Sequence, residues 1–116
     1  METYLGNPNL KKANVAQEWT QEKVSEYAKC MKDPQYFIES YIRIVSLDEG
    51  LISFKLYDFQ KEMVGTFHSN RFTICKLPRQ SGKSTTIIAY LLHYVLFNAS
   101  VNVAILANKA ATARDL

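Results

Sequence analysis

No aspartate or glutamate occurs between Met63 and Arg114. A stretch of that length without a carboxylate supplies neither a carboxylate ligand for Mg²⁺ nor a general base, so any such group must come from elsewhere. Cysteine is scarce too. Cys30 and Cys75 stand far apart, with no C-x-x-C pair or Cys/His cluster, and His68 and His93 are isolated in the sequence. That pattern carries no metal-site signature and predicts reduced, intracellular thiols. The longest apolar stretch, Ile87 to Phe97, is interrupted by His93 and falls short of the ~18 to 20 residues needed to cross a bilayer. No cationic, apolar and small-residue series opens the chain, so a secretory signal is not expected and the protein reads as soluble. With only 4 Gly and 3 Pro, and 47% apolar residues, the chain is neither low-complexity nor disordered. Its 116 residues allow one small domain or a piece of a larger one, not two.

The net charge of +3 hides an asymmetry. Residues 1–62 carry slightly more acidic than basic side chains, whereas Arg71, Lys76, Arg79, Lys83, Lys109 and Arg114 are the only charged residues from Met63 to Arg114. A purely cationic block suits an anionic partner such as phosphate or nucleic acid, or else is an ordinary solvated face.

The first twenty residues lack periodicity and read as an extended arm. Thr20 can cap a helix through about Met31, with Val24, Tyr27, Ala28 and Met31 on one face. Asp33 as N-cap and Pro34 as first helical residue start a short helix to about Tyr41, carrying Phe37, Ile38 and Tyr41. Ile42 to Leu47 and Leu51 to Leu56 form a hairpin around Asp48-Glu49-Gly50, which could shield a sheet edge. Asp58 can cap a helix to about Asn70 with Phe59, Met63, Val64 and Phe67 buried. Beyond it Arg71 to Leu77 reads as a strand, Gly82 to about Asn98 as a helix and Val101 to Ala107 as a fully buried strand. Asn108 to Leu116 looks like the start of another helix. The strand, helix, strand series predicts a right-handed parallel crossover. The expected fold is therefore α/β, a P-loop NTPase (RecA/ASCE-like) parallel sheet, incomplete and continuing past Leu116, with an N-terminal arm, helices and hairpin over residues 1–56 and the ATPase portion over residues 57–116.

Chemistry concentrates in Leu77-Pro78-Arg79-Gln80-Ser81-Gly82-Lys83-Ser84. This approximates G-x-x-x-x-G-K-[ST], the Walker A pattern in which backbone N–H groups wrap a phosphate, the Lys reaches β and γ oxygens and the hydroxyl ligates Mg²⁺. Leu77 stands in place of the first glycine. A strand before, a helix after and the positive end of the helix dipole favour an anion there. The candidate nucleotide-binding residues are Arg79, Gln80, Ser81, Gly82, Lys83, Ser84 and Thr85, with Ser84 on the metal. Arg79 could stabilise charge that develops during phosphoryl transfer, or could pair with a carboxylate elsewhere in the fold. Upstream, Phe59 and Gln60 suit a base: an amide bonds the N6 and N7 edge of adenine while an aromatic stacks on it. The plainer alternative makes Gly82 a mere turn, Lys83 a solvated side chain, Ser84 a helix cap, Phe59 core and Gln60 surface.

The L-x-x-F-Q element, Leu56 to Gln60, followed by R-Q-x-G-K-S, Arg79 to Ser84, resembles the large terminase subunit of tailed bacteriophages. The likeness extends from Asn7 to Val15 (NPNLKKANV) and Trp19-Thr20 to Val103 to Lys109 (VAILANK). The resemblance implies an ATPase motor that drives double-stranded DNA into the prohead in the host cell cytoplasm, with a nuclease in the same polypeptide. It also implies ATP and Mg²⁺, a portal protein and a small terminase subunit as partners, and a homo-oligomeric ring on the portal. Lys83 and Arg79 would be catalytic, Ser84 the Mg²⁺ hydroxyl and Gln60 the adenine reader, with Phe59 at the family's aromatic position. The family's apolar strand ending in Asp-Glu and its nuclease carboxylates have no counterpart here, so hydrolysis by these residues alone is not expected. The rivals are a superfamily-two helicase or translocase and a non-catalytic module whose basic half binds nucleic acid or another subunit.

Overall fold

A computed structural model describes residues 3–115. Met1, Glu2 and Leu116, the ends of the expected arm and of the last helix, lie outside the described residues. The arm opens with a hairpin of β1 (Thr3–Tyr4) and β2 (Asn7–Lys11). It turns through Leu5 and Gly6, both at positive φ, the backbone that suits a tight two-residue connection between antiparallel strands. Two helices then follow as their caps dictate. Thr20 Oγ1 accepts from Lys23 N and starts α1 (Gln21–Lys32). Asp33 accepts from Gln35 N and Tyr36 N ahead of Pro34, starting α2 (Pro34–Tyr41). The second hairpin pairs β3 (Arg43–Ser46) with β4 (Gly50–Ser53) in the register Ile44 opposite Ile52. Then come α3 (Asp58–Ser69), α4 (Lys83–Phe97) and the single turn α5 (Ala110–Arg114).

The expected parallel α/β sheet does not form. The described residues hold five helices and two separate two-stranded antiparallel sheets. Segments 73–78 and 101–107 belong to no helix or strand, and Ile74 and Leu106 stand almost fully exposed. A parallel strand is defined by its neighbours and by helices on both faces. Here α4 spends its narrow buried stripe, Thr86, Ala89 and His93, on α2 and α3, and does not fold back over a sheet. The β3–β4 hairpin accordingly shields no sheet edge; it packs against α2.

The core consists of Cys30, Phe37, Ile38, Phe54, Leu56, Val64 and Ala89, drawn from both sides of residue 56. Full burial of Ile38 or Val64 is worth about 1.5 to 3 kcal/mol each. On α1 the anticipated stripe is turned outward: Val24, Tyr27 and Met31 are exposed and Cys30 is the buried residue. The rotation follows two polar ties. Glu26 Oε1 accepts from the hydroxyls of Tyr36 and Tyr41 at 2.6 and 2.7 Å, which holds its carboxyl below the ordinary value and pushes the Tyr41 phenol up to about 12. The second tie is His93 Nε2, which donates to the Cys30 carbonyl at 2.8 Å and is thereby fixed as the Nε2–H tautomer when neutral. Among the described residues no helix is long and apolar enough to cross a membrane.

Burial pushes the His93 imidazole below its ordinary value of 6.5. The unfolded chain then takes up the proton before the folded one does. Stability is full above about pH 6.5 and declines as the pH falls toward the lower folded value. His93→Gln keeps an N–H donor of similar reach, and should flatten the decline of melting temperature between pH 7 and 5. A slope unchanged in that variant would assign the decline to other groups.

Candidate functional site

Pro78 fixes its own φ and disfavours helical backbone at Leu77, and the chain turns directly afterwards at Arg79 and Gln80. Gln80 has φ 59° and Gly82 φ 78°, while Ser81 between them has none of the left-handed character. Alternation of this kind turns successive N–H groups toward one concavity, a backbone nest for an anion. Gly82 is also the N-cap of α4. The first intrahelical bond runs from Thr86 N to the Gly82 carbonyl at 3.0 Å, leaving the amides of Lys83, Ser84 and Thr85 ahead of the hydrogen-bonded ladder. The first turn of this 15-residue helix carries no acidic residue, so its positive end is not neutralised locally.

Three side chains brace the loop. Ser81 Oγ donates to the Pro78 carbonyl at 2.9 Å. The buried Thr86 hydroxyl donates to the Gly82 carbonyl at 2.8 Å. Lys83 Nζ donates to the Leu77 carbonyl at 3.4 Å, which arches the half-buried lysine over the loop.

Gln60 comes to the same place from α3. It is buried, with 3% of its surface exposed, and its Oε1 accepts from Tyr57 N at 2.8 Å. The helix therefore begins after Tyr57 and not after Asp58, because the reciprocal bond from the third helical residue satisfies the Tyr57 amide. Gln60, Gln80, Ser81, Gly82 and Thr85 line one cleft of about 470 Å³ together with Tyr57 and Lys55. Phe59 does not line it; its ring stacks on Tyr57 at 6.1 Å and 12°. Arg79 is exposed, and the ion pair found among the described residues, Lys61 with Glu39 at 3.9 Å, does not involve it. Ser84 faces the adjoining cleft of about 310 Å³, which Arg43 and Asp115 also line.

No protein-family model matches the chain. The assignment of the site rests on its geometry and on the residues quoted from its sequence. Three residues in the two clefts escape sequence reasoning. Tyr57 is visible as an aromatic beside Phe59, but only the helix start reveals that it faces the cleft. Arg43 and Asp115 carry no sequence signal, because each borders the Ser84 cleft from a separate element. The described residues contain no cluster of three or more His, Cys, Asp or Glu side chains able to hold a metal, so a cation at Ser84 would depend on phosphate oxygens and water for most of its ligands.

Proposed function

We propose that the loop from Arg79 to Thr85 binds the polyphosphate of ATP with Mg²⁺, as part of a viral DNA-packaging ATPase. One observation carries the reading: left-handed Gln80 and Gly82 stand directly before a 15-residue helix, with Lys83 arched over the loop they form. In this proposal the loop amides and Lys83 hold the β- and γ-phosphates, and the Ser84 hydroxyl ligates the metal. Arg79, exposed and unpaired among the described residues, neutralises charge developing at the γ-phosphate. In this proposal Phe59 and Gln60, from the first turn of α3, take the base. The resemblance to large terminase subunits supports the remainder: movement of double-stranded DNA into the prohead, a portal protein and small terminase subunit as partners, ring assembly on the portal, and action in the host cytoplasm. The water-activating carboxylate lies outside the Met63–Arg114 stretch.

Calorimetric titration tests the nucleotide part. ATP is expected to bind more tightly with Mg²⁺ than with EDTA, and Ser84→Ala should remove most of that difference while retaining metal-free binding. Absence of any binding at millimolar ATP would end the proposal.

A further inference from the structure

Gln60 and Gly82 lie on different helices' ends, separated in sequence by an extended segment, yet they touch. A Cβ built on Gly82 would meet Gln60 Nε2 at 2.8 Å, closer than real Cβ atoms approach anything. The amide therefore lies directly on the α-carbon of the loop glycine. Its rotation is determined: Oε1 is engaged by Tyr57 N, and exchanging the two ends of the amide would set a donor against a donor. The end facing the loop is thus an N–H donor, whose partial charge matches the anion-attracting end of α4. The bond from Tyr57 N to Oε1 tethers the buried side chain, so the amide can swing away from Gly82 only by giving up that bond.

We infer that Gln60 is a positioning residue for the phosphate loop: the first turn of α3 holds its amide, and the amide holds Gly82 in the left-handed conformation that starts α4. This rests on the nucleotide-phosphate reading of the loop and goes beyond base recognition, because the role is exercised on the phosphate side with no base present. It links the base-side helix to the loop by direct contact, so displacing the amide from Gly82 alters phosphate binding.

Two measurements on the full chain test it. The first is a melting-temperature cycle of Gly82→Ala, Gln60→Ala and the double variant. Gly82→Ala suffers both left-handed strain and the clash with the amide, and Gln60→Ala removes the clash. The double variant is expected to melt on the order of 5 °C higher than the sum of the two single shifts requires. Strict additivity would overturn the contact. The second uses Gln60→Glu at pH 8, which preserves size and the acceptor for Tyr57 N but replaces the donor facing the loop with negative charge. It needs no glycine variant to fold. Its affinity for inorganic tripolyphosphate, which has no base, should drop on the order of tenfold, measured at a temperature where a melting curve shows the variant folded, since the buried charge lowers stability. If tripolyphosphate affinity is unchanged while ATP affinity falls, Gln60 acts only on the base and the inference fails. If wild type binds neither tripolyphosphate nor ATP, the phosphate reading itself fails, whereas the melting cycle still decides whether Gln60 holds Gly82.

Discussion

Lys83→Ala is expected to weaken binding of Mg·ATP by roughly ten- to a hundredfold and to abolish turnover wherever turnover is measured. The figure follows from losing a charge-assisted contact to phosphate, worth about 1.5 to 3 kcal/mol. The folded protein loses little in exchange. Lys83 Nζ makes one long bond, 3.4 Å, to the Leu77 carbonyl, so the melting temperature should move by less than about 3 °C. This combination separates the functional reading from the plainer one, in which a solvated lysine follows a turn and its removal changes nothing. Lys83→Arg should not rescue affinity, since a planar fork cannot replace a compact ammonium where the chain arches over a tight loop. Titration calorimetry beside a melting curve supplies both readouts, and equal affinity in wild type and Lys83→Ala would sink the assignment.

The largest stability effect is expected from Phe37→Ala. The Phe37 ring sits 5.4 Å from both His93 and Phe97 and 6.0 Å from Tyr41, and so joins α2 to the C-terminal half of α4. Truncating a buried Phe costs about 3 to 5 kcal/mol, a large part of the ~5 to 15 kcal/mol that holds a domain folded. The consequence reaches the loop from Arg79 to Thr85. α4 is anchored only by α2 and α3 among the elements it contacts substantially, and the loop begins at its N-cap. Nucleotide binding should therefore fall together with the folded fraction, and Phe37→Leu should recover much of both. Urea unfolding measures the cost; a loss below about 1 kcal/mol would show that the α2–α4 seam is not the foundation of the site.

Local signals carried well into the structure, because they are satisfied within three or four residues. Thr20, Asp33 with Pro34, and Gly82 each begin a helix where expected, since an orphan helix amide needs a partner or a suitable φ close by. The β3–β4 hairpin was equally legible from two β-branched runs around a turn ending in Gly50. One helix start that was misjudged, Tyr57 in place of Asp58, shows the same rule from the other side. A glutamine three residues on outcompeted the carboxylate, and an aromatic N-cap is not a residue that capping preferences select.

Long-range pairing was not legible. An apolar, β-branched run favours extended backbone but does not announce a partner, and segments 73–78 and 101–107 form no strand. Their backbone groups lie where water can satisfy them, so nothing forces a ladder. The face of α1 was misread for a related reason: periodicity identified its apolar stripe, but Glu26 and the Cys30 carbonyl were drawn inward by Tyr36, Tyr41 and His93.

By itself, then, the sequence determined the starts of α1, α2 and α4, the β3–β4 hairpin, the glycine-lysine-serine motif and the absence of a carboxylate from Met63 to Arg114, all properties of near neighbours or of composition. Only the tertiary structure decided that α4 lies against α2 and α3, that Asp115 and Arg43 share a cleft with Ser84, and that the Gln60 amide rests on Gly82. Those depend on which buried stripe meets which, a choice made by packing among distant residues that no local pattern encodes.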